Sequence, residues 1–348
     1  MLEKPDLDEE QIIACLHEAY GLVAHQLEFL PLGADINSAV YRALISDGRP
    51  YFVKLRRGEF NPIAVTLPRF LSDQGIPQII APLPTHRGEL WAHLESFRLS
   101  LYPFVEGRDG FEVVLFPRQW ADFGVALKHI HTLQLPESLA SLIPRETYPP
   151  QFREQVNRFL ERAKVDACSD SVAIKVAQLL RDQGALIRDL ILRAEALAHL
   201  LYVQPDGFVL CHGDAHAGNI LIDQAGALYI VDWDNPILAP KERDLMFIGG
   251  AQGFRGVTPQ EEEQLFYRGY GPAQVDPAAL AYYRYERIIQ DIAAFGEQLL
   301  DSPDGGDDRE QSFRYLASNF LPGNTIDVAY RSDAFSDSII GRSGTLPG

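Results

Sequence analysis

Cysteine is scarce in this chain: Cys15, Cys168 and Cys211 are the three among 348 residues, and no two lie close together. An odd count without close pairs argues against a disulfide framework and against a cysteine-based zinc site. A reducing, cytoplasmic setting is the expectation. Basic residues are few as well, with 31 Lys and Arg against 48 Asp and Glu and a formal net charge of -17. Phosphate backbones need clustered Lys and Arg, so nucleic-acid binding is set aside as a function class. Long apolar runs are missing, since nothing approaches the roughly 18–20 residues that a membrane span requires. The opening MLEKPDLDEE is acidic and has no apolar centre, so no signal peptide is expected. No internal repeat is visible.

What is present is a globular composition, with 46% hydrophobic and 23% charged residues. Disorder is therefore not expected. The length suits two lobes better than one small core. The acidic balance fits a cationic small-molecule substrate, and it also fits plain solubility.

Residues 8–20 carry Ile12, Ile13, Leu16 and Tyr20 at helical spacing. Two strand-like runs then flank the turn Ser46-Asp47-Gly48. On the second run, Phe52, Lys54 and Arg56 share one face, and Val53 and Leu55 the other. Residues 62–74 fit one helix, with Pro68 as a disturbance inside it. ELWAHLES and FRLSLYPFVEG read as further strands. Beyond them Trp120, Phe123, Leu127 and Ile130 recur at helical spacing, and residues 150–202 suit two helices. FVLCHGD reads as a strand entering a polar loop, and NILIDQAGALYIVDWD as a hairpin around Gly226. Residues 258–300 are helical in pattern, and 301–310 read as a charged loop. The fold class expected is α+β and bilobal, with a small antiparallel β-rich N-terminal lobe over 1–104 and a larger, mainly helical lobe over 105–330. Residues 331–348 are expected to form a loose tail.

The chemistry concentrates in CHGDAHAGNILID and the later VDWD. Phosphoryl transfer from a nucleotide asks little covalent chemistry of a protein. It needs metal ions on the phosphates and a carboxylate that orients the attacking hydroxyl and accepts its proton. The kinase catalytic loop supplies these with the pattern H-R-D-x-x-x-x-N followed by a later Asp. His212-Gly213-Asp214 with Asn219 reproduces that spacing, and the hairpin between them can bring Asp232 back to the same place. Asp214 is thus the candidate base, and Asn219 and Asp232 are candidate magnesium ligands, since oxygen donors suit that hard cation.

These motifs resemble the aminoglycoside phosphotransferase and choline kinase family, relatives of the protein kinases. The resemblance runs from Leu32 to about Gly296, and RYERIIQDIAAFGE looks most similar to the spectinomycin phosphotransferase branch. It implies ATP or GTP as phosphoryl donor, Mg2+ as cofactor and a small hydroxyl compound as acceptor, in a monomer or weak dimer with no nucleic-acid or membrane partner. It implies that Lys54 contacts the α- and β-phosphates. The loop Leu32–Ser38 would cover the phosphates with backbone amides around Gly33 and the Ser38 hydroxyl, although it departs from G-x-G-x-x-G. Pro103 and Val105, in the segment Tyr102–Val105, would offer backbone groups to the purine edge. His216 would stand near the phosphates, His212 would orient the loop, and Asp244 would brace it. Asp291 and Glu286, with Tyr285 and Glu297 nearby, would line the acceptor site; a solvated acidic face is the plain alternative. Asp234, two residues past Asp232, would assist the metal or be solvated.

One departure stands out. Kinases pair the phosphate lysine with a Glu on the next helix, and AVTLPRFL holds none; Glu59 precedes that helix. Either the lysine is held otherwise or the pair forms only on closure. Two other functions remain open at this level: a protein Ser/Thr kinase, which differs in its acceptor pocket, and a non-catalytic nucleotide-binding module, against which the intact Asp214, Asn219 and Asp232 count.

Overall fold

The computed structural model describes residues 4–32, 37–165, 170–203, 207–250, 253, 256–301 and 306–333. α1 (Glu9–Tyr20) begins at Asp8, whose carboxylate accepts from the Glu10 amide at 3.0 Å and so satisfies one amide of the first turn. Ile12, Leu16 and Tyr20 are buried along one face, as their spacing predicts. β1 (Ala24–Leu30), β2 (Ser38–Ile45), β3 (Pro50–Arg57), β4 (Ala92–Leu94) and β5 (Phe97–Pro103) form one antiparallel sheet in the order β1-β2-β3-β5-β4. Val53 and Leu55 are 0% exposed and pack with Ile12, Leu16, Tyr41 and Leu99. Burying each such side chain contributes about 1.5–3 kcal/mol, and the strand's period of two turns Lys54 to the opposite face.

α2 (Ile63–Asp73) runs through Pro68 instead of ending there. Pro68 lacks an amide hydrogen, so the helix gives up one internal bond. Burial of Ile63, Val65, Leu67, Pro68 and Leu71 holds it regardless. A three-residue strand, β6 (Gly107–Asp109), follows; it had no apolar pattern by which to predict it. α3 (Pro117–Thr132) buries Trp120, Phe123, Leu127 and Ile130 as expected, and a short α4 (Glu137–Ala140) comes after it.

The stretch expected to hold two helices holds three: α5 (Gln151–Val165), α6 (Ser171–Asp182) and α7 (Gly184–Tyr202). The extra boundary is set by Asp170, whose carboxylate accepts from the Val172 and Ala173 amides and starts α6. β7 (Val209–Cys211) leads into the polar loop, then β8 (Ile220–Asp223) and β9 (Leu228–Ile230) form the expected hairpin around Gly226, which has φ 83°. β8 also pairs with β6, which gives a three-stranded sheet β6-β8-β9. β10 (Ile237–Ala239) pairs with β7. There follow α8 (Glu242–Leu245), α9 (Pro259–Tyr270), α10 (Pro277–Gly296), a π-helical turn at Glu297–Asp301, α11 (Gly306–Ser318) and α12 (Thr325–Ser332). The charged segment 301–310 is therefore helical from Gly306, not a loop throughout. Of the expected tail, 331 and 332 close α12, and 334–348 lie outside the described residues.

The chain divides into two compact units. The first comprises Met1–Pro144, His212–Pro236 and Gly253–Gly256, so it joins the N-terminal sheet to the polar loop and its hairpin. The second comprises Arg145–Cys211, Ile237–Gln252 and Val257–Gly348. It is built around α10, which packs against α5, α7 and α12. The architecture is the α+β one expected, an antiparallel N-terminal lobe and a mainly helical C-terminal lobe. Among the described residues no helix is long and apolar enough to cross a membrane.

Candidate active site

Lys54 settles the departure noted in the sequence. Its Nζ lies 2.7 Å from both carboxylate oxygens of Asp234 and 3.4 Å from Asp232 Oδ1. The lysine's partner is thus a carboxylate after β9, not a glutamate on α2. Arg56, on the same face of β3, stands 3.8 Å from Asp234. Burial by itself would depress the Lys54 pKa, but Asp234 and then Asp232 outweigh it and raise the pKa above the ordinary lysine value. The ammonium is therefore charged at any physiological pH. Asp232 has φ 63°, in the left-handed region that a non-glycine residue adopts at a cost of about 1–3 kcal/mol. Its carboxylate is 54% exposed. The strained residue thus sits beside a half-buried lysine and keeps its carboxylate open to solvent.

The loop after β7 is held from several directions. His212 is buried; the Asp214 amide donates to its Nδ1 at 3.2 Å, which leaves the ring proton on Nε2, 2.9 Å from the Val231 carbonyl. The Trp233 ring meets His212 edge-on at 4.6 Å. His212 therefore ties the Asp214 backbone to the segment 231–233. Asn219 donates from Nδ2 to the Asp214 carbonyl at 2.8 Å, which leaves the amide oxygen outside that bond. The Val231 amide donates to the Asn219 carbonyl at 2.9 Å, so Asp232 follows directly on a residue hydrogen-bonded to Asn219. The amide oxygen of Asn219 and the carboxylate of Asp232 are oxygen donors of the kind that suits magnesium.

His216 was expected at the phosphates. Its Nδ1 accepts from the Gly218 amide at 3.0 Å, which caps the 3-10 turn Ala217–Asn219, and its Nε2 lies 3.6 Å from Asp214 Oδ2. The ring stacks on Phe111 at 5.6 Å. Lys54, Asp232, Asp234, Asp214, His212, His216 and Asn219 all belong to the first compact unit.

The other expected site residues are placed as follows. Ser38 opens β2, and its hydroxyl accepts from Arg56 at 3.3 Å. Gly33 lies outside the described residues. Pro103 closes β5 and Val105 lies just beyond it. Asp244 is fully buried on α8 in the second unit. Glu286 is buried inside that unit on α10, with Oε2 3.5 Å from Arg153 Nε; burial raises its pKa to about 7. Enclosed in this way, the carboxylate faces Arg153 rather than solvent. Asp291, five residues on, pairs with Arg287 at 3.1 Å and keeps partial exposure, while Glu297 accepts from Gln155 at 3.1 Å. Two residues were missed in the sequence: Asp234 as the lysine's partner and Phe111 beside His216. The spacing Asp-x-Asp carried a signal for the first; nothing local pointed to the second.

The profile of the phosphotransferase enzyme family matches residues 28–283. Protein StrN of Streptomyces griseus is 25% identical over 306 residues, which span 85% of this chain and 86% of StrN. Among solved structures, spectinomycin phosphotransferase APH(9)-Ia in complex with ADP and spectinomycin is 37% identical with a TM-score of 0.86, over 94% of this chain and 99% of that one. Choline kinase LicA from Streptococcus pneumoniae, at 16% identity over 89% of this chain and 97% of its own, shares the fold with a TM-score of 0.54. Sequence match, fold and motif agree, and the chain belongs to the phosphotransferase enzyme family, whose members transfer a phosphoryl group to a hydroxyl.

Proposed function

We propose that this enzyme moves the γ-phosphoryl of ATP, or of GTP, to a hydroxyl of a small cationic acceptor, an aminocyclitol or aminoglycoside such as spectinomycin. The observation that carries the reading is Lys54 against Asp234 and Asp232 in the compact unit that also holds Asp214 and Asn219. The 37% identity to a phosphotransferase solved with ADP and spectinomycin supports the choice of acceptor. An acceptor related to spectinomycin makes a role in antibiotic resistance part of the same reading.

The division of labour follows the chain. Residues 1–104 hold the nucleotide: Lys54 and Ser38 on its phosphates, the backbone at Pro103 and Val105 along its purine. Residues 105–330 supply the base and the acceptor site. Asn219 and Asp232 are the magnesium ligands, and the ion, when bound, neutralises charge on the phosphate oxygens. Asp214 accepts the acceptor's hydroxyl proton as its oxygen forms the bond to the γ-phosphorus; the bond to the bridging oxygen breaks, and the nucleoside diphosphate leaves with that electron pair. His212 fixes the backbone of the base. Asp291 is the acceptor carboxylate, and Glu286 supports α10 from within.

Steady-state turnover with MgATP and spectinomycin tests the reading. Asp214→Asn keeps the fold and nucleotide binding and removes most turnover, because a positioned general base contributes about 10²–10⁴-fold. Turnover within a few-fold of the parent would refute the role of Asp214. Phosphorylation of a generic protein, with spectinomycin and several aminoglycosides untouched, would move the acceptor to the protein-kinase class.

A further inference from the structure

Phe111 is a large aromatic that the core does not use. It is 41% exposed, yet its placement is closely defined. It lies just past β6, in a turn held by Asp109: the Phe111 and Glu112 amides donate to Asp109 Oδ1 at 2.9 and 3.2 Å. The preceding Gly110 amide donates to the carbonyls of Ala217 and Ile220 at 2.9 and 3.0 Å, which pins the turn to the residues around the 3-10 turn. Glycines meet the ring at two edges. A Cβ on Gly218 would stand 2.5 Å from Phe111 Cε2, and one on Gly253 would stand 2.1 Å from Cε1. A side chain at either position would have to displace the ring.

The ring so held stacks on His216, with planes 29° apart. The imidazole is fixed at its other side too. Because Nδ1 accepts from the Gly218 amide, the neutral ring carries its proton on Nε2, and that atom faces Asp214 Oδ2 at 3.6 Å. At this separation the contact is an electrostatic one between a ring N–H and a carboxylate oxygen rather than a full hydrogen bond. We infer that His216 is a positioning residue for Asp214, and that Phe111, seated between Gly218 and Gly253, is the platform that aims its imidazole. The inference rests on Asp214 being the base. A carboxylate that must meet a hydroxyl in near-attack geometry gains from losing rotational freedom before the acceptor arrives. An N–H aimed at one of its oxygens restricts it without taking its proton-accepting capacity. This departs from the phosphate-contacting role that the sequence suggested for His216, and the two are separable.

The test is steady-state kinetics of His216→Asn and His216→Gln with MgATP and spectinomycin, or basal ATP hydrolysis should spectinomycin not be turned over. Asn keeps an oxygen where Nδ1 accepts from the Gly218 amide, so the turn stays capped, but it has no donor that reaches Asp214. Gln places an amide nitrogen near the Nε2 position. His216→Asn is expected to lose roughly 10-fold in kcat, within the ~10²-fold that a misplacement of about 1 Å can cost. The ATP KM should stay within about twofold, as for an interaction made in the transition state. His216→Gln should recover most of the loss, and Phe111→Leu should lose kcat in the same direction with little change in Tm. Unchanged kcat in His216→Asn overturns the inference. A raised ATP KM at unchanged kcat assigns His216 to the phosphates instead. Loss of Tm in proportion to kcat, without rescue by Gln, reduces it to a structural role. Asp214→Asn in the same assay separates the failures: turnover surviving there defeats the base assignment, whereas turnover abolished there beside a normal His216→Asn defeats the positioning role alone.

Discussion

At the residue scale the site combines a salt-bridged lysine with a strained aspartate. The lysine is held at 2.7 Å by Asp234, so it does not depend on a helix glutamate to stay in place. The aspartate at 232 keeps an L side chain in the left-handed region, φ 63°. Two consequences can be measured. Asn219→Ala and Asp232→Ala both weaken nucleotide binding in magnesium, the second more, because a carboxylate contributes charge as well as an oxygen ligand. Calorimetric titration with MgATP decides this, and equal affinity across parent and both variants would remove these residues from the metal site. The strain is isolated by comparing two substitutions that both delete the carboxylate. Asp232→Gly should be the more stable of the pair by about 1 kcal/mol over Asp232→Ala, since glycine adopts positive φ without penalty. Equal melting temperatures would mean that the backbone relaxes without strain.

At the element scale, α9 carries a carboxylate with an unusual burden. Glu262 is 4% exposed, and its Oε1 has no hydrogen-bond partner among the described residues. Burial raises its pKa from the ordinary 4.5 to about 8, against the opposing pull of the Gly249 amide and Arg284. The folded protein therefore holds a proton on Glu262 that the unfolded chain releases near pH 4.5. The resulting stability is fully present below that pH and is lost as pH rises through about 8. Glu262→Gln mimics the protonated form, so its Tm advantage over the parent should be larger at pH 9 than at pH 6. A difference in Tm that is flat with pH would show that Glu262 titrates normally. α3 offers a second check on packing: Trp120 is 0% exposed, and Trp120→Ala should cost about 3–5 kcal/mol in denaturant unfolding.

At the scale of the whole molecule the excess of carboxylates bears on the acceptor. A net charge of -17 raises the local concentration of a dicationic ligand, and Asp291 is the partly exposed carboxylate proposed to meet it. Asp291→Asn should raise the spectinomycin KM with a smaller effect on that of ATP. If the contact is equally good in ground and transition states, kcat barely moves. The parent's acceptor KM should also climb between low and high salt as charges are screened over about 10 Å at 0.1 M. A KM indifferent both to salt and to Asp291→Asn would leave the acidic balance a matter of solubility, and the Arg287 pair at 3.1 Å a sufficient account of Asp291.

Elements with local patterns, and candidate residues at a fixed spacing, can be read from the chain alone. α1, β3 and α3 announced their buried faces because burial follows the period of each backbone. Asp214, Asn219 and Asp232 stood out as candidates because the proposed base and metal ligands recur at defined intervals on a loop and hairpin. Shorter cues failed: the three residues of β6 hold no pattern, and the caps that divide α5 from α6 are single side chains. Which distant residues pair depends on the folded arrangement. Lys54 lies 180 residues from Asp234, and no local rule links a strand lysine to the second Asp of a later motif. Glu286 and Asp291 stand five residues apart on α10, equally acidic as letters, yet helical rotation sends one toward buried Arg153 and leaves the other partly exposed. Phe111 reads as one more apolar residue until its backbone turn brings the ring onto His216. Charge and spacing are properties of the chain, whereas burial and partnership depend on which distant segments fold against it.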